Sequence, residues 1–210
     1  MKMPDTNQSA FDFWEELYQR SAPGTNGRPT TILQQLVDNK TPGLALDLGC
    51  AKGDDAVWLA RQGWRVTAVD ISPTVLGYAK ANARRCGVED QIEFQQHDLA
   101  ESFPDSRFDL VTALFLQTPI EFPRTRVLRR AADSVHAGGV LLIVSHGKVA
   151  PWSWAQEGRA IPTAREGMEE LNLDERDWKE IFVGSLERLA TGPEGQSATV
   201  TDNVVALERI

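Results

Sequence analysis

Cysteine is scarce in this chain: there are two in 210 residues, Cys50 and Cys86, with no CxxC spacing. That excludes a disulfide framework and leaves no cysteine-based metal or redox motif. Positive charge is also short. With 22 Lys plus Arg against 30 Asp plus Glu the net charge is −8, so no electrostatic surplus draws the chain to nucleic acid or to an anionic membrane. No apolar run approaches the roughly 20 residues of a membrane span. The opening MKMPDTNQSAFDFWEEL has neither the apolar stretch nor the cleavage site of a signal peptide. These absences predict a cytoplasmic protein with a small partner, and no membrane, nucleic acid or metal. Repeats, low-complexity tracts and flexible linkers are missing too, which predicts one continuous domain over 1–210. At 41% apolar and 25% charged, the composition is that of a chain that folds.

Short apolar runs recur as Leu44 to Leu48, Arg65 to Val69, Ile92 to Gln96, Phe108 to Leu114 and Val140 to Val144, each separated from the next by a segment with helical spacing. Strands that are apolar throughout are buried on both faces, so the alternation predicts an α/β protein: a Rossmann-like, doubly wound, mostly parallel sheet. Ser72-Pro73 is an N-cap and first-turn proline for a helix over Thr74 to Arg85. A second helix is predicted over Glu121 to His136, ended by Gly138-Gly139, with His136 capping its carboxyl end. Ile181 to Leu189 and Ala198 to Leu207 read as strands joined by hairpin chemistry, so the sheet should end antiparallel. Ala10 to Gln19 and Thr30 to Asn39 read as helices, making residues 1–40 a helical cover.

The first strand runs into Leu48-Gly49-Cys50-Ala51-Lys52-Gly53, and Asp54-Asp55 opens the helix Ala56 to Gln62. A glycine loop at a strand's carboxyl end, beside the switch in strand order, is where open α/β sheets bind ligands. The spacing is neither GxGxxG nor GxxxxGK followed by Ser or Thr, and an acidic pair follows, so a pyrophosphate site is disfavoured. Asp70 closes the second strand, where a carboxylate can accept both hydroxyls of an adenosine ribose. Asp98 sits equivalently after the third, either at a ligand or as a plain N-cap. Asp47 organises the loop through backbone hydrogen bonds. Cys50 is a small loop filler. His97 is either packed or an adenine neighbour.

The order DLGCAKG, VTAVDIS, QQHDLA resembles the class I S-adenosylmethionine-dependent methyltransferases, and within them the small tellurite-resistance and thiopurine methyltransferase group. The likeness extends to Phe13-Trp14, to Gly27 to Pro29, to Phe115-Leu116-Gln117, to Ala137 to Gly139 and to the final hairpin. It implies S-adenosylmethionine as cofactor. The Gly49 to Gly53 loop would pack on the methionine part, Arg28 would face its carboxylate and Asp70 would hold the ribose. Asp98 and Leu99 would border the adenine, Leu116 and Gln117 would lie beside the sulfonium, and Trp14 would form an aromatic wall. Asp47, Cys50, Ala51 and Ile71 complete the cofactor-binding set. The group prefers glycine where Ala51 stands, a departure that costs about 1 kcal/mol if the position needs a positive φ.

The implied reaction is methyl transfer to a small molecule such as a thiol, a metalloid oxyanion or another soft nucleophile. No Asn/Asp-Pro-Pro-Tyr follows the fourth strand, where amino-methylating relatives carry it. His146, which ends the fifth strand, is the candidate catalytic or substrate-contacting residue; structural hydrogen bonding is its other role. Trp152 and Trp154 follow, either walling an acceptor site or anchoring a long loop. Two rival functions stay open, a cofactor-binding module without turnover and a nicotinamide-dependent oxidoreductase.

Overall fold

In the computed structural model, residues 8–38, 40–152, 161–192 and 194–210 are described. Their strands form one sheet in the order β3-β2-β1-β4-β5-β7-β6. β1 (Leu44–Leu48), β2 (Arg65–Asp70), β3 (Ile92–Gln96), β4 (Phe108–Leu114) and β5 (Val135–His146) pair in parallel. β7 (Ser197–Arg209) runs antiparallel between β5 and β6 (Trp178–Thr191). This is the doubly wound architecture with an antiparallel end that the apolar runs predict. Its strand order reverses between β1 and β4, so the carboxyl ends of those two strands flank the crevice where such sheets bind ligands.

Both faces are covered. Leu33 of α2 (Thr31–Val37), Leu59 of α3 (Asp54–Arg61) and Leu76 of α4 (Pro73–Arg85) join Val66, Leu142 and Val204 in one core. On the other face Val127, Leu128 and Ala131 of α5 (Arg124–Asp133) and Ala164 of α6 (Ala164–Glu169) join Val111, Leu141 and Val205. Alternate residues of β4 and β5 therefore serve opposite cores, which is why these strands carry no polar face.

Several boundaries differ from the periodic reading. The helix expected over Glu121 to His136 spans only Arg124–Asp133, because Pro123 is its N-cap and proline keeps the residue before it out of helical geometry. At the other end Ser134 is the C-cap, and Val135 already pairs with Phe108 in β5. Val135 satisfies the helical stripe in sequence, but the ladder to β4 wins. His136 is thus an exposed strand residue and not a helix cap. α2 starts one residue later than expected, with Thr30 as N-cap, and α3 starts at Asp54 directly after Gly53. α6 has a Thr163/Glu166 capping box that the apolar pattern did not reveal.

α1 (Ala10–Gln19) lies against α4 and has no fully buried residue. A side-chain clamp secures it: the Ser72 hydroxyl donates to Glu15 Oε2 at 2.6 Å, the Thr74 amide donates to the same oxygen at 3.3 Å, and the Thr74 hydroxyl donates to Oε1. Burial acts to raise the Glu15 pKa, yet the hydrogen bonds from Ser72, Thr74 and Gln19 together bring it below its ordinary value. Residues 21–30 are strapped down similarly. Lys52 Nζ donates to the Gly24 carbonyl at 3.2 Å, Thr25 to Asp54, and the Thr30 amide to Asp55 at 2.6 Å. With so little apolar burial in α1, the clamp decides whether the cover stays closed. Glu15→Ala should therefore speed amide exchange across residues 10–19 by about tenfold or more, since a hydrogen bond to a charged group contributes roughly 1.5–3 kcal/mol. Hydrogen-exchange mass spectrometry checks this, and unchanged exchange would mean that packing alone holds α1.

Candidate active site

The loop after β1 is drawn back onto β2 by two main-chain bonds. The amides of Gly49 and Cys50 both donate to the Val69 carbonyl at 2.9 Å. Gly49 has φ +72, and a Cβ there would lie 2.8 Å from Leu116 Cδ1, so glycine lets the loop meet the segment after β4. Gly53, at φ +79, faces elsewhere: a Cβ would lie 3.0 Å from the Ala79 Cβ, so this glycine sets the approach of α3 to α4, and it is absent from the walls of the two cavities beside the loop. That corrects its assignment to the ligand side of the loop. Ala51 has φ +46, so the strain expected of a non-glycine residue is present.

Two adjoining cavities share Tyr18, Gly49, Ala51 and Leu114 in their walls. The first, about 330 Å³, is mostly apolar, with Trp14, Tyr18, Ile71, Leu99, Phe115 and Leu116 around it. Its polar wall comes from the strand ends, Asp70 of β2 and His97 and Asp98 after β3, together with Gln117 after β4. Trp14 stacks on Tyr18 with ring centroids 5.9 Å apart. The second cavity, about 280 Å³, is polar and brings Arg28 of the strap to Asp47, Cys50, Lys52, Asp54 and Asp55.

Asp70 is 6% exposed. Its Oδ2 accepts from the Ala51 amide and its Oδ1 from the Ser72 amide, each at 3.1 Å. Burial pushes its pKa up to about 6 against those amide bonds. Asp98 caps a turn and not a helix: its Oδ1 accepts from the Ala100 amide at 2.9 Å, and it stays at the cavity wall. His97 is both packed and a wall residue, its ring spanning Ser102 Oγ at 2.8 Å and Gln95 Oε1 at 3.0 Å. Burial, with Arg130 nearby, lowers its pKa, so the ring is neutral at pH 7.

Asp47 sits opposite Thr112 in the register of β1 and β4, and the Thr112 hydroxyl donates to its Oδ1 at 2.9 Å. Among the described residues nothing hydrogen-bonds its buried Oδ2, so the carboxylate makes none of the backbone hydrogen bonds to the loop that the sequence leads one to expect. Burial first, then Asp55 and Asp70, push this carboxyl up to about 7. Cys50 is buried, and burial plus Asp70 and Asp47 hold its thiol well above the ordinary range, which fits a filler and not a nucleophile. A carboxyl that titrates near 7 in the fold and near 3.8 in the unfolded chain binds more protons when folded, so its contribution to stability declines as pH rises through that interval. Asp47→Asn should accordingly be more stable than the parent at pH 8, by on the order of 2 kcal/mol, and the gap should narrow at pH 5. Urea unfolding at the two pH values tests this; a variant less stable at pH 8 would show that the charge is compensated.

The acceptor-side residues are placed differently. His146 lies behind Phe115 and in neither cavity wall: the two rings are 4.8 Å apart, and the His146 amide donates to Gln117 Oε1 at 3.0 Å. Beyond them, Arg188 lies over Phe115 at 5.6 Å and pairs with buried Asp202. Trp152 packs against Gly192 in the hairpin turn, where a Cβ would fall 2.7 Å from its ring, as a loop anchor would, and it is absent from the walls of these two cavities. Trp154 lies outside the described residues. Sequence reasoning missed Tyr18 and Phe122. Tyr18 was findable, four residues from Trp14 on one helix face, whereas Phe122 sits in an irregular segment without periodicity.

A family model described as a methyltransferase domain matches residues 45–139. Methyltransferase GfsG of Streptomyces halstedii is 34% identical over 122 residues, 55% of this chain and 42% of that protein. The ribosomal protein L11 methyltransferase of Cupriavidus taiwanensis is 36% identical over 132 residues, 61% of this chain and 41% of that protein. The chain thus spans about two fifths of the length of these curated relatives. Among solved structures, one from work on the conversion of a disulfide bond into a thioacetal group during echinomycin biosynthesis superposes with TM-score 0.73 at 21% identity, covering 95% of this chain and 92% of that one. TehB from Haemophilus influenzae gives TM-score 0.64 at 15% identity, covering 95% and 66%. Residues 45–139 are therefore similar to a methyltransferase domain, and S-adenosylmethionine is the methyl donor such a domain implies.

The cavities fit that cofactor on their own chemistry. An apolar slot ending in two carboxylates suits a nucleoside, and a guanidinium facing acids, one with an unpartnered oxygen, suits an amino-acid zwitterion. Among the described residues no helix is long and apolar enough to cross a membrane, and no cluster of acidic, histidine or cysteine side chains could hold a metal.

Proposed function

We propose that the protein methylates a small molecule carrying a soft nucleophile, a thiol or a metalloid oxyanion, as the resemblance to the tellurite-resistance and thiopurine group implies. The observation that carries this is the adjoining pair of cavities at the carboxyl ends of β1 to β4, apolar where the nucleoside would lie and zwitterionic beyond Gly49. When bound, S-adenosylmethionine supplies an electrophilic methyl group on a cationic sulfur. Asp70 and Asp98 would hold its ribose and adenine, Arg28 and Asp47 its amino-acid end, with Gly49, Leu116 and Gln117 at the sulfur. Trp14, Tyr18 and Phe115 exclude water from that region, and a desolvated, positioned nucleophile then needs little further help.

A thiolate or oxyanion brings no proton to remove. A phenol or protonated thiol does, and His146, beside Phe115, is the base available to accept it. The net charge of −8 argues for a small acceptor over a nucleic acid. The test is transfer of a labelled methyl group to thiols, metalloid oxyanions, phenols, amines and bulk RNA. Label in a thiol or oxyanion is the expected result. Transfer to RNA alone would overturn the acceptor class, and tight cofactor binding with no transfer would point to a binding module.

A further inference from the structure

We propose that Asp47 holds a proton in the unliganded protein and releases it when the α-ammonium group of the cofactor arrives, so that binding of the amino-acid end is linked to pH. The inference rests on the cofactor site proposed above. Its geometric basis is independent of any titration: Asp47 is 2% exposed, its buried Oδ2 has no hydrogen-bond partner among the described residues, and it lines the same cavity as Arg28. A bare carboxylate oxygen in that position is costly, and two events relieve it, protonation or the approach of a cation.

Among the described residues no cation is bonded to Asp47, although Arg28 and Lys52 line the same cavity. Asp55 at the start of α3 and Asp70 at the end of β2 both push its pKa up, Asp54 adds negative charge to the same cavity, and the neighbouring Cys50 thiol is held neutral. Thr112 on β4 offers only a hydroxyl, and Tyr18 on α1 is a phenol whose pKa burial raises. Lys52 is spent on the carbonyls of Ala22 and Gly24. Arg28 is exposed on the strap and lines the same cavity, where its guanidinium would meet a carboxylate. An incoming ammonium therefore finds a protonated acid, and the balance is plain: the carboxyl loses H⁺ to solvent, its Oδ2 becomes anionic, and a charge-assisted hydrogen bond from the ammonium replaces the lost O–H bond.

The linkage has a definite sign. A carboxyl near pH 7 in the free protein must ionise to bind, so affinity rises with pH and levels off above it. S-adenosylhomocysteine should bind about tenfold more weakly at pH 6 than at pH 8. Asp70 and His97 also titrate, but they face the nucleoside, so 5′-methylthioadenosine, which keeps the adenosine and sulfur without the amino acid, isolates their share. The experiment is calorimetry of the full chain at pH 6.5 in phosphate and in imidazole, whose ionisation enthalpies differ, with both ligands. The expected result is more than half a proton released with S-adenosylhomocysteine beyond that seen with 5′-methylthioadenosine, and near zero excess at pH 8.5. Asp47→Asn should abolish the excess, while Asp55→Asn should keep it with a lower midpoint. Equal proton release for both ligands overturns the inference and leaves the cofactor site standing, as does excess release that survives in Asp47→Asn. Binding of neither ligand would instead overturn the cofactor site itself.

Discussion

Asp70→Ala will weaken binding of S-adenosylhomocysteine by roughly 10²–10⁴-fold, because two hydrogen bonds from ribose hydroxyls to a carboxylate are lost, each about 1.5–3 kcal/mol. Each Asp70 oxygen spends one bond on a main-chain amide, of Ala51 or Ser72, and retains a lone pair at the cavity wall. The substitution also leaves the Ala51 amide without its acceptor, loosening the loop at a residue already held at φ +46. 5′-Methylthioadenosine should lose affinity to the same degree, since the ribose is common to both ligands. Because burial sets the Asp70 pKa near 6, the ionised form is complete only above about pH 7, and affinity of the parent protein for both ligands should decline below pH 6. Calorimetric titration of parent and variant checks both statements. Undiminished affinity in a folded Asp70→Ala chain would remove Asp70 from the ribose position.

Much of this site is legible in the sequence because strand ends are. Asp47, Asp70 and Asp98 each follow an apolar run, and a parallel sheet necessarily collects such residues at one edge, here beside the β1/β4 reversal. What the pattern does not carry is which atoms point into the crevice. Gly53 looks equivalent to Gly49 in the motif, yet its missing Cβ faces Ala79, because the last residue of the loop is also the first contact between α3 and α4. Helix limits depart from the apolar period where one residue suits two patterns: Val135 completes the apolar stripe of α5 and still enters β5, since pairing with Phe108 satisfies main-chain groups that a further helical turn would also need. The acidic pair Asp54-Asp55 read only as an argument against phosphate. Its partners, Thr25 and Thr30, lie 29 and 25 residues earlier, and only the fold reveals that these acids fasten the strap carrying Arg28.

His146→Asn will separate the two kinds of acceptor. The imidazole lies 4.8 Å from the Phe115 ring and is tilted 32° to it, and Phe115 also forms part of the larger cavity's wall, so under the proposed function His146 would meet an acceptor at the edge of that ring and not the cofactor itself. Burial, opposed by Asp202 and assisted by Arg188, lowers the His146 pKa below its ordinary 6.5, leaving a neutral ring at pH 7 that is ready to take a proton. With a phenol or protonated thiol, turnover by the parent should rise with pH through a value below 6.5 and level off above it, and the variant should lose roughly 10²–10⁴-fold in kcat with that limb of the profile gone. Its affinity for S-adenosylhomocysteine should not change. With a thiolate or metalloid oxyanion the same substitution should cost less than about threefold, because an acceptor without a proton asks nothing of a base and proximity in a dry site supplies the acceleration. A large loss with an anionic acceptor, or a small loss with an unaltered pH profile for a protonated one, would assign His146 instead to holding Gln117 and Phe115 in place at the end of β5.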